Sequence, residues 1–414
     1  MALPANISVT FDYSSGATFG NPFIIGSDLY GIIGISGLGS STNPSPTYDL
    51  TPNTTSIRIK RGRNILSDSY EVGTAKIVVN DPDSVFNPQN ASSPLFGFLN
   101  PLSKIQVTAT VNGFGYFLGS FYTTAYNYTY PQGQEIGYVT IDCADAFRLF
   151  NMAGVTTVVG AVNGQDTGTR INKILDQMNF PTDMRVIDTG NSICQVDPGT
   201  LRSGLSAIKN AEFSEQGAFY MGSNGAAIFK SRTNVINSLS NTAIAFNQTG
   251  GIPYSNLVYS FDDKLIVNNS TMTRVGGTPQ VANSPDSIIQ YFPHELNQSD
   301  LVIQTDAEAL NIARIYVATR DRTTIRIDAM TVDLLDSAVP TQTMLDLDFF
   351  DPLVITNIQP NGSTIVKTLQ CQGLEWSITP STMKVTVTTL EPIVEGFIIS
   401  SPISGIIGIS HLAW

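Results

Sequence analysis

The chain has 414 residues, 42% of them hydrophobic and only 14% charged, against a usual charged share of about 25%. Its 34 acids outweigh 22 Lys and Arg to give a net charge of -12, the wrong sign for a protein that grips nucleic acid through basic patches. Three cysteines without CxxC spacing, Cys143, Cys194 and Cys371, exclude a disulfide framework and a Cys-based zinc site.

The opening MALPANISVTFDY lacks a basic segment ahead of an apolar core, so no secretory leader is expected. No apolar run approaches the ~20 residues that span a bilayer. Synthesis in a cytoplasm without export is the simplest reading. Residues 23–36, FIIGSDLYGIIGIS, return at 397–410 as FIISSPISGIIGIS, identical at ten of fourteen positions. After the first copy, alternation of β-branched and aromatic residues predicts strands within 56–62, 74–80, 104–113, 115–130 and 137–147. The stretch 81–94, rich in Asn, Asp, Ser and Pro, reads as a long loop. Short strands at similar spacing predict a barrel or sandwich, here a first β-barrel domain over 1–150 that includes a repeat arm at 20–40.

Helical spacing then appears. Ile171, Ile174, Leu175 and Met178 recur at i, i+3, i+4, i+7 ahead of Pro181, and Leu201, Leu205 and Ile208 repeat the pattern ahead of Gly217. Two short strands around Gly-Ser-Asn-Gly follow in 218–232, so 151–232 reads as a small α/β domain. Strand patterns resume over 256–277, 323–335, 352–379 and 383–392, interrupted by a helix at 305–319. That helix opens on a capping box of Thr305 and Glu308, with Leu310, Ala313 and Val317 as its inward stripe. A second β-barrel domain is expected over 233–392, followed by a C-terminal repeat arm at 393–414. The predicted class is mainly β: two tube-like barrels flanking a small α/β insert.

Catalytic signatures are absent from the sequence. His294 and His411 stand outside any motif, and GxSxG, HExxH, Walker and GxGxxG patterns in strand context do not occur. The serine in GISGLG, 34–39, has the wrong spacing for a nucleophile elbow. The densest acids, Asp346, Asp348 and Asp351 together with Asp81 and Asp83, fit neither an EF-type register nor a defined carboxylate pair; aspartates beside Pro and Gly are usually turn formers. Trp376 and Trp414 are too few for a sugar-stacking platform. No catalytic residue, metal or cofactor is assigned.

The segment 56–102 carries Arg61-Gly62-Arg63, then Tyr70-Glu71-Val72-Gly73-Thr74-Ala75, Phe86-Asn87-Pro88 and Ser92-Ser93-Pro94. In that order these resemble the opening domain of the minor tail proteins of long-tailed bacteriophages, especially those of actinobacteria. The likeness continues through 139–150, 170–181, 185–192, 274–282, 299–313 and 373–380, covering most of the chain. It departs at Asn80-Asp81, where the family often has Asp-Asn, and in lacking the appended hydrolase that some tail hubs carry.

The resemblance implies a baseplate-hub-like protein at the virion's tail tip, made in the host cytoplasm and structural rather than enzymatic. Two barrels per chain in a homotrimer would continue a six-fold tube. The partners implied are distal tail and tail tube proteins, the tape measure protein, and a central fibre or receptor-binding proteins. DNA would pass during ejection without specific binding. Asp346, Asp348 and Asp351 are then candidates for an acidic lumen. A trimer facing six sites needs two comparable surfaces per chain, which gives the repeat a role: Phe23, Ile24 and Ile25, with Gly31 and Gly34, and Phe397, Ile398 and Ile399, with Gly405 and Gly408, as docking arms. The alternative is that both copies are strands packed within the chain's own barrels at equivalent places. Two other functions stay open, a six-fold distal tail protein and a receptor- or carbohydrate-binding tail protein.

Overall fold

The computed structural model describes residues 3–13, 17, 19, 21–22, 36–37, 47–65, 68–130, 136–248 and 250–392. The longer strands of the N-terminal part are β1 (Asn6–Asp12), β2 (Thr47–Asp49), β3 (Thr54–Asn64), β4 (Thr74–Asp81), β5 (Lys104–Val111), β6 (Phe114–Thr129) and β7 (Gly137–Ala144). Alternation decides which face of each is covered. In β4, Ala75, Ile77, Val79 and Asp81 turn inward while Thr74 and Lys76 face out.

A short helix α1 (Phe147–Met152) leads into the insert, which holds α2 (Thr167–Gln177), β8 (Arg185–Ile187), α3 (Gly204–Glu215), β9 (Ala218–Met221), β10 (Ala227–Lys230) and α4 (Arg232–Asn237). Both long helices begin on a side-chain cap: Asp166 accepts from the Thr169 amide and Ser203 from the Ser206 amide. Strand β10 pairs parallel with β8 and antiparallel with β9, and the four residues of β9 are all buried. Of the expected α2 stripe Ile171, Ile174 and Leu175 are buried, while Met178 caps the C-terminal end of the helix and is half-buried. Leu201 departs from expectation: it precedes α3 and stands 77% exposed.

The C-terminal part contributes β11 (Ile244–Asn247), β12 (Ser255–Ser260), β13 (Asn269–Arg274), β14 (Gln280–Asn283), α5 (Pro285–Tyr291), β15 (Glu295–Leu301), α6 (Asp306–Arg320), β16 (Arg326–Asp333), α7 (Thr341–Asp346), β17 (Pro352–Ile358), β18 (Thr364–Thr379) and β19 (Thr382–Leu390). The pattern over 256–277 is two strands in two sheets, with β12 in the large sheet and β13 at the centre of a separate one, β14-β13-β15. Helix α6 packs on that small sheet around a core of its own, with Met272, Leu301, Ile312 and Tyr316 in it. Its buried face is Ala309, Ile312, Ala313, Tyr316 and Val317, which takes in Ala313 and Val317 of the expected stripe, while Leu310 is only half-buried.

The capping box forms as read from the sequence. The Glu308 amide donates to Thr305 Oγ1 at 3.2 Å, and the Thr305 amide to Glu308 Oε2 at 3.0 Å. Thr305→Ala is expected to cost about 1 kcal/mol, seen as faster amide exchange in α6 with the strands of the large sheet unaffected.

The chain is mainly β, as expected, and its two strand-rich parts share one hydrogen-bonded ladder. The pairing path runs β12-β16-β19-β18-β3-β4-β7-β6-β5-β1-β2, with β17 also on β18 and β11 on β17. The join is β3 against β18, antiparallel from Gly62↔Gly373 to Ile57↔Ile378.

Candidate functional site

The β3–β18 join is a crossing. Strand β18 pairs with β17 up to Gln370, passes a bulge between Cys371 and Gly373, and from Gly373 takes β3 as its neighbour. Strand β3 changes partner at the same place: its pairing with β4 ends at Lys60, and beyond Gly62, Arg63 and Asn64 pair with Tyr70 and Ser69. The two backbones meet at glycines. A Cβ on Gly62 would stand 2.5 Å from Gly373 Cα and 2.9 Å from the Gln372 carbonyl oxygen.

The residues flanking Gly62 fasten the other modules to this crossing. Arg61 is buried; its Nη2 donates to the Met221 carbonyl of β9 at 3.0 Å, and its guanidinium lies 5.1 Å from the Phe349 ring centre. The buried Tyr70 hydroxyl donates to Gln372 Oε1 at 3.0 Å, and its ring packs on Tyr220 and Phe349, each at 5.1 Å. Arg63 continues outward to Asp68, with Nη2 and Oδ1 2.6 Å apart. Asp68 also pairs with Arg320 at 2.8 Å and accepts from the Tyr316 hydroxyl at 2.9 Å, both on α6. The two guanidiniums hold its carboxyl down at about 2 against the opposing effect of burial.

Gly73, at the end of the same stretch, meets a buried carboxylate. Asp145 accepts from the Gly73 amide at 2.7 Å and from the Phe147 amide at 3.0 Å, joining β4 to the start of α1. Burial pushes the Asp145 carboxyl up to about 7, against the pull of those amides, Arg61 and Lys209. A raised acid contributes stability that is complete below its ordinary range and disappears as pH climbs through the raised value. The thermal midpoint is therefore expected to fall as pH rises from about 4 to about 7. Asp145→Asn, which has no proton to lose, should flatten that slope; an unchanged slope would refute the assignment.

A cleft of about 740 Å³ opens where these pieces converge. Its wall takes Tyr70 from the crossing, Phe213 from α3, Val235 from α4, Leu296 from β15, Tyr316 from α6 and Leu390 from β19. Every module thus contributes to it. The wall mixes apolar side chains with amides and charges, and many of those charges are already paired, as Arg63 and Arg320 are with Asp68.

The residues singled out in the sequence are placed as follows. Phe23, Ile24, Ile25, Gly31, Gly34, Phe397, Ile398, Ile399, Gly405 and Gly408 lie outside the described residues, as do His411 and Trp414. Asp346 ends α7 exposed, and Asp348 is half-exposed with its carboxylate 4.0 Å from Arg61. Asp351 is occupied internally: its Oδ2 accepts from the Asp348 amide at 2.9 Å, and burial raises its pKa. His294 Nε2 lies 3.1 Å from the Tyr291 carbonyl oxygen, to which only its N–H form can donate. The three cysteines are buried and free. Among the described residues no group of three or more His, Cys, Asp or Glu is placed to hold a metal, and no helix is long and apolar enough to cross a membrane.

Sequence reasoning passed over Asp68, Asp145 and the glycine crossing. The available signal was the run Arg61 to Ala75, quoted for its resemblance without a structural role.

No protein-family model and no curated protein matches the chain. Solved structures do. The 43 kDa tail protein of prophage MuSo2 from Shewanella oneidensis is 11% identical with a TM-score of 0.54, over 84% of this chain and 96% of that one. The tail protein from Neisseria meningitidis is 10% identical with a TM-score of 0.54, over 84% and 95%. At such identity the likeness establishes a shared fold.

Proposed function

We propose that the chain is a structural component of a bacteriophage tail tip, a hub between the tail tube or distal tail ring and the central fibre or receptor-binding proteins. One observation carries the reading: the chain shares its fold with two prophage tail proteins over nearly their whole length. The β3–β18 join supports it mechanically. A hub that mates a trimer to a six-fold tube must hold two strand-built surfaces at a fixed separation, and one continuous ladder with a backbone crossing does that without a flexible linker. Asp346 and Asp348 remain open to solvent, as a wall past which DNA slides requires, and like-charge walls avoid retaining phosphates.

Native mass spectrometry of the purified chain together with immunogold labelling of virions tests this. The expected result is a three-chain mass and label at the distal end of the tail. A six-chain ring would favour the distal tail protein instead, and label along the head or tube would end the hub reading. The hub should also be silent on a glycan array.

A further inference from the structure

We propose that the junction cleft binds an amphiphilic monoanion, a long-chain carboxylate, whose head group pairs with the Arg232 guanidinium and whose tail lies on the apolar wall. Helix α4 builds the meeting point. Arg232, Val235 and Ile236 stand at i, i+3 and i+4, so one helical face carries a cation beside two aliphatic side chains, and all three are in the wall. Phe213 of α3, Leu296 of β15 and Leu390 of β19 extend the apolar surface. The volume of about 740 Å³ lies within the range of about 300–1,000 Å³ that encloses a compact ligand.

Charge decides the head group. The wall holds five Lys and Arg against four Asp and Glu, in a chain whose net charge is -12. Four of those cations are taken: Arg63 and Arg320 by Asp68, Lys209 by Glu212 at 2.7 Å, and Lys264 by Asp262 at 3.3 Å. Of the other acids in the wall, Glu391 pairs with Lys367, and the exposed Glu71 accepts from the Asn64 side-chain amide at 2.6 Å. Arg232 differs. Among the described residues no carboxylate oxygen lies within 4.0 Å of its guanidinium, which donates only to Gln216 Oε1 at 3.5 Å. Glu215 takes the Arg232 backbone amide at 3.4 Å, but its carboxylate is committed to Thr167, Asn191 and Ser192. A half-buried guanidinium gains most from a carboxylate that two of its nitrogens can grip.

The tail is hydrocarbon because amides in the wall are engaged within the chain. Gln298 donates to the Ser299 carbonyl, Gln370 donates to the Val235 carbonyl and to Ser238 Oγ, and Gln372 accepts from Tyr70. An extended peptide backbone would find few side-chain partners there, whereas an alkyl chain needs none. The assignment does not depend on a place in a tail.

Isothermal titration calorimetry of the full-length protein tests it with two probes of equal tail and opposite head, dodecanoate and dodecyltrimethylammonium, each below its micelle concentration. The expected result is saturable binding of one dodecanoate per chain, with the cationic probe weaker by about tenfold or more. Arg232→Gln should lower dodecanoate affinity about tenfold, the worth of one charge-assisted hydrogen bond, and Arg232→Lys should recover most of it. Ile236→Asp, which sets a carboxylate one turn from Arg232, should remove binding. No saturable dodecanoate binding, equal affinity for the two heads, or unchanged affinity in Arg232→Gln would overturn the proposal. So would an equal loss in Arg232→Gln and Arg232→Lys, which would make the loss an effect on the fold.

Discussion

Replacing Gly62 by alanine is expected to lower stability by about 3 kcal/mol. The atoms that the new Cβ meets are backbone, Gly373 Cα at 2.5 Å and the Gln372 carbonyl at 2.9 Å, so no rotamer change relieves the overlap. The φ of +154° adds a conformation unfavourable to a side chain. Either β3 or β18 must shift, and both carry the join between the two strand-rich parts. Gly113→Ala is the control: its φ of +85° imposes strain, but nothing stands within 4 Å, so the cost should be about 1 kcal/mol. Urea unfolding followed by tryptophan fluorescence reports directly, because Trp376 on β18 pairs with Ile59 on β3. Equal costs at the two positions would contradict the crossing.

Asp68→Ala is expected to cost about 3–5 kcal/mol, the penalty for removing one partner from a buried ionic cluster. Arg63 and Arg320 would be left facing each other with their side chains only 14% and 13% exposed. Converting Arg63 and Arg320 to methionine in the same variant should restore most of the loss, since a packed apolar cluster does not need the charge. The pH dependence has a definite sign. A carboxyl held at about 2 when folded contributes stability above its ordinary pKa of about 3.9 and loses it as pH falls from 4 toward 2. A two-unit depression is worth roughly 2.5 kcal/mol, so the wild type should weaken by that order over the interval while Asp68→Ala shows a flatter acid limb. A parallel acid limb in the two proteins would remove Asp68 from the account.

Local order was legible in the sequence because it depends on short spacings. The period of two in 74–80 marked β4, the i, i+3, i+4 spacing marked α2, and Thr305 with Glu308 gave the α6 cap down to its two hydrogen bonds. Long-range pairing was not legible. Nothing near Gly62 says that its neighbour is Gly373, 311 positions away, and alternation within a strand is blind to which strand lies beside it. The separate core under α6 was hidden likewise, since β13 and β12 carry the same alternating signature although they enter different sheets. Asp145 falls in a stretch read as a strand, 137–147, and Asp68 in one given no element, and only burial beside Arg63, Arg320 and Gly73 distinguishes them.

The late arrival of β18 has a consequence during synthesis. Strand β3 leaves the ribosome among the first hundred residues, yet the neighbour that covers its free edge is encoded three hundred residues later. Until then Ile57 to Gly62 forms an unpaired ladder, the template on which a second nascent chain can add itself. Closing so long a loop is slow, so a translation stop before residue 364 should yield insoluble material, and yield should rise when the chain is made slowly at low temperature.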